Sequence, residues 1–420
     1  MDRPPPVRID DLADPRFPPH IEEVLAAAEA MADDFPMTPE PLLAKASAEV
    51  GLGDFGADDF LERMGLLLDC LDTEVPLRPF GRIQASSLVT QLLENRLLIR
   101  DLLTRVPEIE EQRIDRPIVI AGQPRTGTTH LHNLLAADPD LRYLPYWESL
   151  EPVLSEFERP DDGQPDPRIA RCEQGLWLVN EAMPLFRRMH EMTVEHAHEE
   201  IQLLAIDFST MLFETMGVMP SWRDDYLARD QTPHYEYLRT VLQVLQWLRG
   251  GTRWVLKSPQ HLEQFEPLLE VFPDAFVVVT HRDPAAVLRS MVTMIAYTAR
   301  LSHAEIDLPK LGSYWRARLV DACVACSRDR HFIPEDQSLD VHFDEFMADD
   351  FAMVQRVYAA ADQPLGDRSR ESMRRFLAEH PRGRFGAIEY DLRPFELDED
   401  EIRSTLAPYI EQFGVGLERD

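Results

Sequence analysis

The stretch Gly122-Gln-Pro-Arg125-Thr126-Gly127-Thr128-Thr129 gathers two glycines, one guanidinium and a set of hydroxyls into one short turn. It follows an apolar, β-branched run, Ile118-Val-Ile-Ala, which reads as a buried parallel strand. It precedes Thr128-Thr-His-Leu-His-Asn-Leu-Leu, whose apolar spacing is helical. Strand, glycine loop and helix in that order aim backbone N–H groups at an anion. The two glycines keep the spacing of the GxxxxGK[ST] phosphate loop, but Thr128 stands in the lysine position. That lysine normally reaches the β- and γ-phosphates, so a nucleotide-dependent kinase is the weaker reading. A non-catalytic nucleotide-binding protein is a further alternative. Arg125 supplies a cation earlier in the turn, which suits a phosphate with a neighbouring transferable oxyanion.

Other groups of the right chemistry fall where strands end. Arg253-Trp-Val-Leu-Lys257 reads as a strand closing on Lys257. Asp274-Ala-Phe-Val-Val-Val-Thr280 reads as another, followed by His281-Arg282-Asp283-Pro284. In an open parallel sheet ligands bind beyond the carboxyl ends of the strands, so Arg125, Lys257 and Arg282 are expected to converge. The order Leu141-Arg-Tyr-Leu-Pro-Tyr-Trp-Glu148 reads as a short strand and then a turn or helix, which puts the Glu148 carboxylate near the anion loop. His190-Glu-Met-Thr-Val-Glu-His196-Ala-His198-Glu-Glu200 is rich in histidine and acid. Read as helical, it places His196 and Glu200 on one face. It holds no HEXXH, and no metal is expected there. Late in the chain, His380-Pro-Arg382-Gly383-Arg384-Phe-Gly386 is a basic, glycine-rich loop suited to a second anion contact.

The elements that position these groups divide the chain. Residues 1–19 are proline-rich and read as an extended arm. Residues 20–112 show apolar residues three or four apart, broken by Gly and Pro, and form a helical region, a lid or pre-domain. Asp58 or Asp59 is placed to cap its third helix. Residues 113–420 alternate strands and helices, with a helical insertion over about 160–250. Such alternation implies βαβ units, and the fold class is α/β: a P-loop-like three-layer fold around a central parallel sheet.

Composition limits the partners. Hydrophobic residues make up 44% and charged residues 28%, ordinary for a globular chain, but the net charge is -32. So acidic a surface repels nucleic acid and polyanionic substrates, and neither is expected as a partner. Cys323-Val-Ala-Cys326 is a lone pair in a helical pattern, read as buried thiols rather than a metal or redox site. The start of the sequence carries no apolar leader, and the run Ala275-Phe-Val-Val-Val is too short to span a bilayer. The expectation is a cytoplasmic protein without a membrane span. Oligomeric state is left open, a homodimer included.

These motifs together resemble the sulfotransferases that use 3′-phosphoadenosine 5′-phosphosulfate. Gly122-Gln-Pro-Arg-Thr-Gly-Thr-Thr, Leu256-Lys-Ser-Pro, and Arg282 with Ser290 eight residues on carry the likeness. The bacterial, notably actinobacterial, branch with a long helical N-terminus is the nearest in pattern. The resemblance implies that residues of the loop, Gly122 and Arg125 to Thr129, hold the donor's 5′-phosphate, and that Arg282 and Ser290 hold the 3′-phosphate. Lys257 would lie beside the transferred group, with Arg125. Glu148 would be the base for the acceptor hydroxyl, with His196 and His198 as alternatives. Arg382, Gly383 and Arg384 resemble the late loop that closes over the donor, although the family's Arg-Lys-Gly order is not kept. The implied reaction moves a sulfuryl group to a hydroxyl of a small, apolar acceptor, releases 3′-phosphoadenosine 5′-phosphate and needs no metal.

Overall fold

The structure, a computed structural model, describes residues 4–161 and 163–418. The first three residues of the expected arm and Asp162, in a stretch that reads as a surface loop over 158–168, lie outside the described residues. Its centre is a parallel sheet of four strands, β1 (Ile118–Gly122), β2 (Val255–Ser258), β3 (Phe276–His281) and β4 (Ser338–His342), in the order β2-β1-β3-β4. The apolar runs form strands because both faces are covered, as parallel sheets require. Ile118, Ile120, Val255 and Val278 pack beneath the sheet against Leu131, Leu134 and Leu135 of the loop helix and Val354 and Val357. Their neighbours Val119, Ala121, Leu256, Val277 and Val279 point to the opposite face. There they share one core with Met64, Leu67, Leu93 and Leu97 of the N-terminal helices and with Ile295. This is the expected three-layer α/β architecture, and the helical N-terminal region supplies part of one layer.

Four helices carry the argument below: α1 (Pro79–Arg105), α2 (Thr128–Ala136), α3 (Thr232–Arg249) and α4 (Pro284–Ser302). Pro284 opens α4, and the Asp283 side chain caps it by accepting the Ala285 N–H at 3.0 Å. The proline-rich arm does not hang free. Val7–Arg8 pairs in parallel with Ile388–Glu389, next to the late basic loop. Arg300 also donates to Asp11 at 2.7 Å.

Several local expectations change. Residues 141–144 make a single parallel bridge from Arg142 to Trp254 rather than a strand, because Pro145 brings no N–H to continue the ladder. The third helix starts at Phe60 behind Asp59, with no side-chain cap bond. After β2, where His261 to Leu269 reads as one helix from its sequence, the chain makes a 3₁₀ turn (Pro259–Glu263) and then an α-helix (Phe265–Val271). The largest correction concerns residues 190–200, which are not helical, so His196 and Glu200 do not share a helix face. The backbone of this segment is used sideways: the His198 N–H donates to the Leu144 carbonyl at 2.7 Å, and the His196 carbonyl accepts from Tyr146 at 3.0 Å. An i→i−4 ladder cannot form from groups already spent across the chain. Cys323 and Cys326 are buried free thiols on one helix, and burial pushes Cys326 up to about 12.

Candidate active site

Beyond the carboxyl ends of β1 and β3 lies a cleft of about 510 Å³. The loop enters it through two close approaches. A Cβ at Gly122 would lie 1.9 Å from Thr280 Oγ1, so the ends of β1 and β3 meet this tightly only with glycine there. Thr126 Oγ1 donates to the Gln123 carbonyl at 2.6 Å and lies 2.6 Å from Thr280 Oγ1. Gly122 and Thr126 therefore shape the loop and do not line the cleft. Gly127 turns into α2 with φ +88°, and Arg125 takes φ +74°. A non-glycine residue in that region is uncommon and costs of order 1 kcal/mol, and such positions cluster at functional sites.

Arg125, Gly127, Thr128 and Thr129 face the cleft. Arg125 Nε donates to Ser290 Oγ at 2.8 Å, and its Nη1 donates to the Met189 carbonyl. Ser290 itself is buried behind the arginine. Arg282 comes from the end of β3 and also faces the cleft. Its Nη1 donates to the Arg125 carbonyl at 2.6 Å, which braces the loop. Its guanidinium lies 3.9 Å from the Phe343 ring centroid and is paired with Glu418. Arg382, Gly383 and Arg384 line the opposite wall. Arg382 pairs with Asp350 and Arg384 with Glu191, yet both Nε atoms are buried without a hydrogen-bond partner. Lys257, next to last in β2, lies beneath the loop at 1% exposure and does not itself line the cleft; its Nζ is 3.4 Å from Thr129 Oγ1 and in contact with Glu199.

The structure brings most of the sequence-nominated residues together, but Glu148 stands apart. It is 1% exposed and does not line the cleft. One carboxylate oxygen pairs with Arg142 and the other with Arg249 at 3.1 Å. Arg142 stacks over Trp254 and Arg249 over Trp147, so the carboxylate is built into a layered ion-pair and aromatic stack. His196 does line the cleft, and His198 sits behind it against Tyr146. Burial, then the positive charge of Lys257, pushes His196 down to about 3. Burial and His196 hold His198 well below the ordinary imidazole range.

Sequence reasoning missed several wall residues. Asn133 donates from Nδ2 to the Thr129 carbonyl at 2.9 Å and accepts the Ala197 N–H through Oδ1 at 3.0 Å. It thereby ties the His196 segment to the first turn of α2. Its place four residues after Thr129 on a helix was the available signal. Met189, Phe343, Met347, Phe376 and Phe385 also face the cleft, beside His190 of the histidine-rich stretch. They arrive from four separate segments, and no spacing in the sequence announces them.

A P-loop-like parallel sheet, a glycine loop without its lysine and arginines converging from distant segments define a group-transfer enzyme rather than a triphosphate hydrolase. The chain belongs to the Sulfotransferase family, whose model matches residues 117–367, more than half of it. It is 25% identical over 291 residues to the omega-hydroxy-beta-dihydromenaquinone-9 sulfotransferase Stf3 of Mycobacterium bovis, covering 63% of this chain and 68% of that one. The fold is similar to the crystal structure of sulfotransferase STF9 from Mycobacterium avium, with a TM-score of 0.81, 27% identity, and 92% of this chain and 99% of that one covered. Sulfotransferase STF1 from Mycobacterium tuberculosis H37Rv gives a TM-score of 0.77 at 28% identity, over 88% of this chain and 98% of that one. Among the described residues, no helix is long and apolar enough to cross a membrane.

Proposed function

We propose that this sulfotransferase takes its sulfuryl group from 3′-phosphoadenosine 5′-phosphosulfate and transfers it to a hydroxyl of a small, apolar acceptor. The observation that carries the donor assignment is the convergence of Arg125, Arg282, Arg382 and Arg384 on one cleft, in a chain whose net charge is -32. Two of these arginines keep buried Nε donors without partners, which suits an incoming anion. The donor would supply an activated sulfuryl group next to a phosphate; the residues of this chain bind and orient it.

In this reading the loop from Arg125 to Thr129 and the start of α2 hold the 5′-phosphate. Arg282 takes the 3′-phosphate, with Ser290 acting through Arg125. Lys257, beside Thr129, stabilises charge on the transferred group, the kind of electrostatic term that usually dominates such catalysis. Of the three nominated bases, His196 is the one on the cleft wall. Burial and Lys257 leave it a weak base in the free protein, and the negative charge of a bound donor would raise its proton affinity. A positioned base contributes about 10²–10⁴-fold.

The apolar side of the cleft, Met189, Phe343, Met347, Phe376 and Phe385, supports an apolar acceptor. The mycobacterial relative is named for a hydroxylated menaquinone, which points the same way. The acidic surface argues against nucleic acid as acceptor. The test is transfer of labelled sulfate from the donor to a panel of hydroxylated lipids, quinones, phenols and sugars. Label should appear on apolar alcohols. Transfer confined to sugars would overturn the acceptor class, and tight ATP binding with phosphate release would overturn the donor.

A further inference from the structure

Lys257 poses an electrostatic problem that the proposed donor does not solve in the free protein. The residue is only 1% exposed, and a buried charge without a partner costs several kcal/mol. The imidazoles around it cannot help. His132, His190, His196 and His198 all feel its positive charge, and burial together with that charge holds them neutral. Thr129 offers a hydroxyl at 3.4 Å. Among the described residues, the anionic group in contact with the ammonium is Glu199.

Glu199 is followed by Glu200, and the two carboxylates take opposite ends of the same lysine. Glu200 is fully buried, and its Oε2 accepts the Lys257 backbone N–H at 2.8 Å. Its other oxygen meets His261 Nε2, whose Nδ1 lies 2.7 Å from the Tyr235 hydroxyl. Burial opposes ionisation of Glu200, but the His261 contact outweighs it and holds the carboxyl below its ordinary range. The backbone of Lys257 is therefore anchored to α3 through Tyr235, His261 and Glu200. Glu199 is different: its side chain keeps 21% exposure, on the open side of the pair. One carboxylate is fixed and the other is displaceable.

We propose that Glu199 is a built-in counter-ion and a positioning residue for Lys257, neutralising the ammonium beside the loop and yielding it when an anion binds there. The inference rests on the donor-site reading above. Donor binding is then an exchange of one anion for another at Lys257 rather than a capture by free positive charge. That fits a chain with little positive field to spare.

The exchange has a direction that a purely structural role would not produce. Removing the competing carboxylate should strengthen anion binding. Glu199→Gln is expected to bind 3′-phosphoadenosine 5′-phosphate about tenfold more tightly, the effect of removing one charge–charge competitor of about 1.4 kcal/mol. Adenosine, which lacks the anion, should bind as it does to the wild type. In steady state the donor KM and kcat should both fall, because the product leaves more slowly. In Lys257→Met the further change Glu199→Gln should no longer tighten binding. Unchanged or weaker binding of 3′-phosphoadenosine 5′-phosphate by folded Glu199→Gln would overturn the proposal. If that variant does not fold, Glu199→Asp replaces it: the shorter side chain should tighten binding by a few-fold, and no tightening refutes the counter-ion role. A wild type that fails to prefer 3′-phosphoadenosine 5′-phosphate over adenosine defeats the donor assignment instead, so the two failures are distinct.

Discussion

Arg125 Nε donates to Ser290 Oγ across 2.8 Å, joining the glycine loop to α4. The family resemblance assigns these residues to two different phosphates of the donor. Their direct bond, with Ser290 only 2% exposed, makes the serine a brace that aims the guanidinium. Hydrogen bonds to charged groups are worth about 1.5–3 kcal/mol. Ser290→Ala should therefore raise the donor KM by about tenfold or more with a smaller effect on kcat. Isothermal titration with 3′-phosphoadenosine 5′-phosphate measures this directly, and unaltered affinity means that the bond does not position Arg125.

Arg282 is engaged by Glu418, Nε to Oε1 at 2.5 Å and Nη2 to Oε2 at 3.0 Å. A carboxylate fork thus lies on the arginine assigned to the 3′-phosphate. Arg282→Ala should weaken 3′-phosphoadenosine 5′-phosphate much more than adenosine 5′-phosphate, by about tenfold or more for a lost charge-assisted bond. Equal losses for the two nucleotides would refute the 3′-phosphate assignment and leave Arg282 as a brace for the Arg125 carbonyl.

Glu148 is buried against Arg142 and reaches the more exposed Arg249 with its other oxygen. Removing one partner of a buried pair typically costs about 3–5 kcal/mol, because the other charge stays buried. Glu148→Gln should lower the urea midpoint accordingly, while the folded fraction keeps its affinity for 3′-phosphoadenosine 5′-phosphate. His196→Gln should do the reverse and lower turnover at little cost in stability. A Glu148→Gln protein with normal stability and no turnover would return the base role to the carboxylate.

The sequence made the sheet legible because Ile118-Val-Ile-Ala and Phe276-Val-Val-Val are long apolar runs bounded by turn residues. The glycine loop was legible for the same reason that it works: few residue types tolerate its backbone. Glu148 and the 190–200 segment misled because the sequence cannot show lateral pairing. Arg249 lies about 100 residues from Glu148, and nothing local predicts that it pairs with the carboxylate's second oxygen. Likewise His196 and Glu200 have helical spacing, but the carbonyl of Leu144 and the side chain of Asn133 claim the backbone first. Counter-ions such as Glu199 are invisible until the fold places them against their cations.

Buried neutral imidazoles also fix the direction of the pH dependence. Burial pushes His132 down to about 4 and, with Lys257, His196 down to about 3, against an ordinary value of 6.5. Both folded values are depressed. Below pH 6.5 the unfolded chain takes up protons that the folded protein refuses, so stability is intact above pH 6.5 and falls as the pH drops toward 4. Each such histidine contributes a slope of up to about 1.4 kcal/mol per pH unit. Urea unfolding followed between pH 7.5 and 4.5 should show a steady loss beginning near pH 6.5, before most carboxylates titrate. His196→Gln should flatten the slope by about one proton's worth. Bound 3′-phosphoadenosine 5′-phosphate should also reduce it, since negative charge beside His196 raises its proton affinity. A stability profile that stays level from pH 7 to pH 5 would mean that these imidazoles titrate in the folded protein as they do in the unfolded chain, and that burial does not hold them neutral.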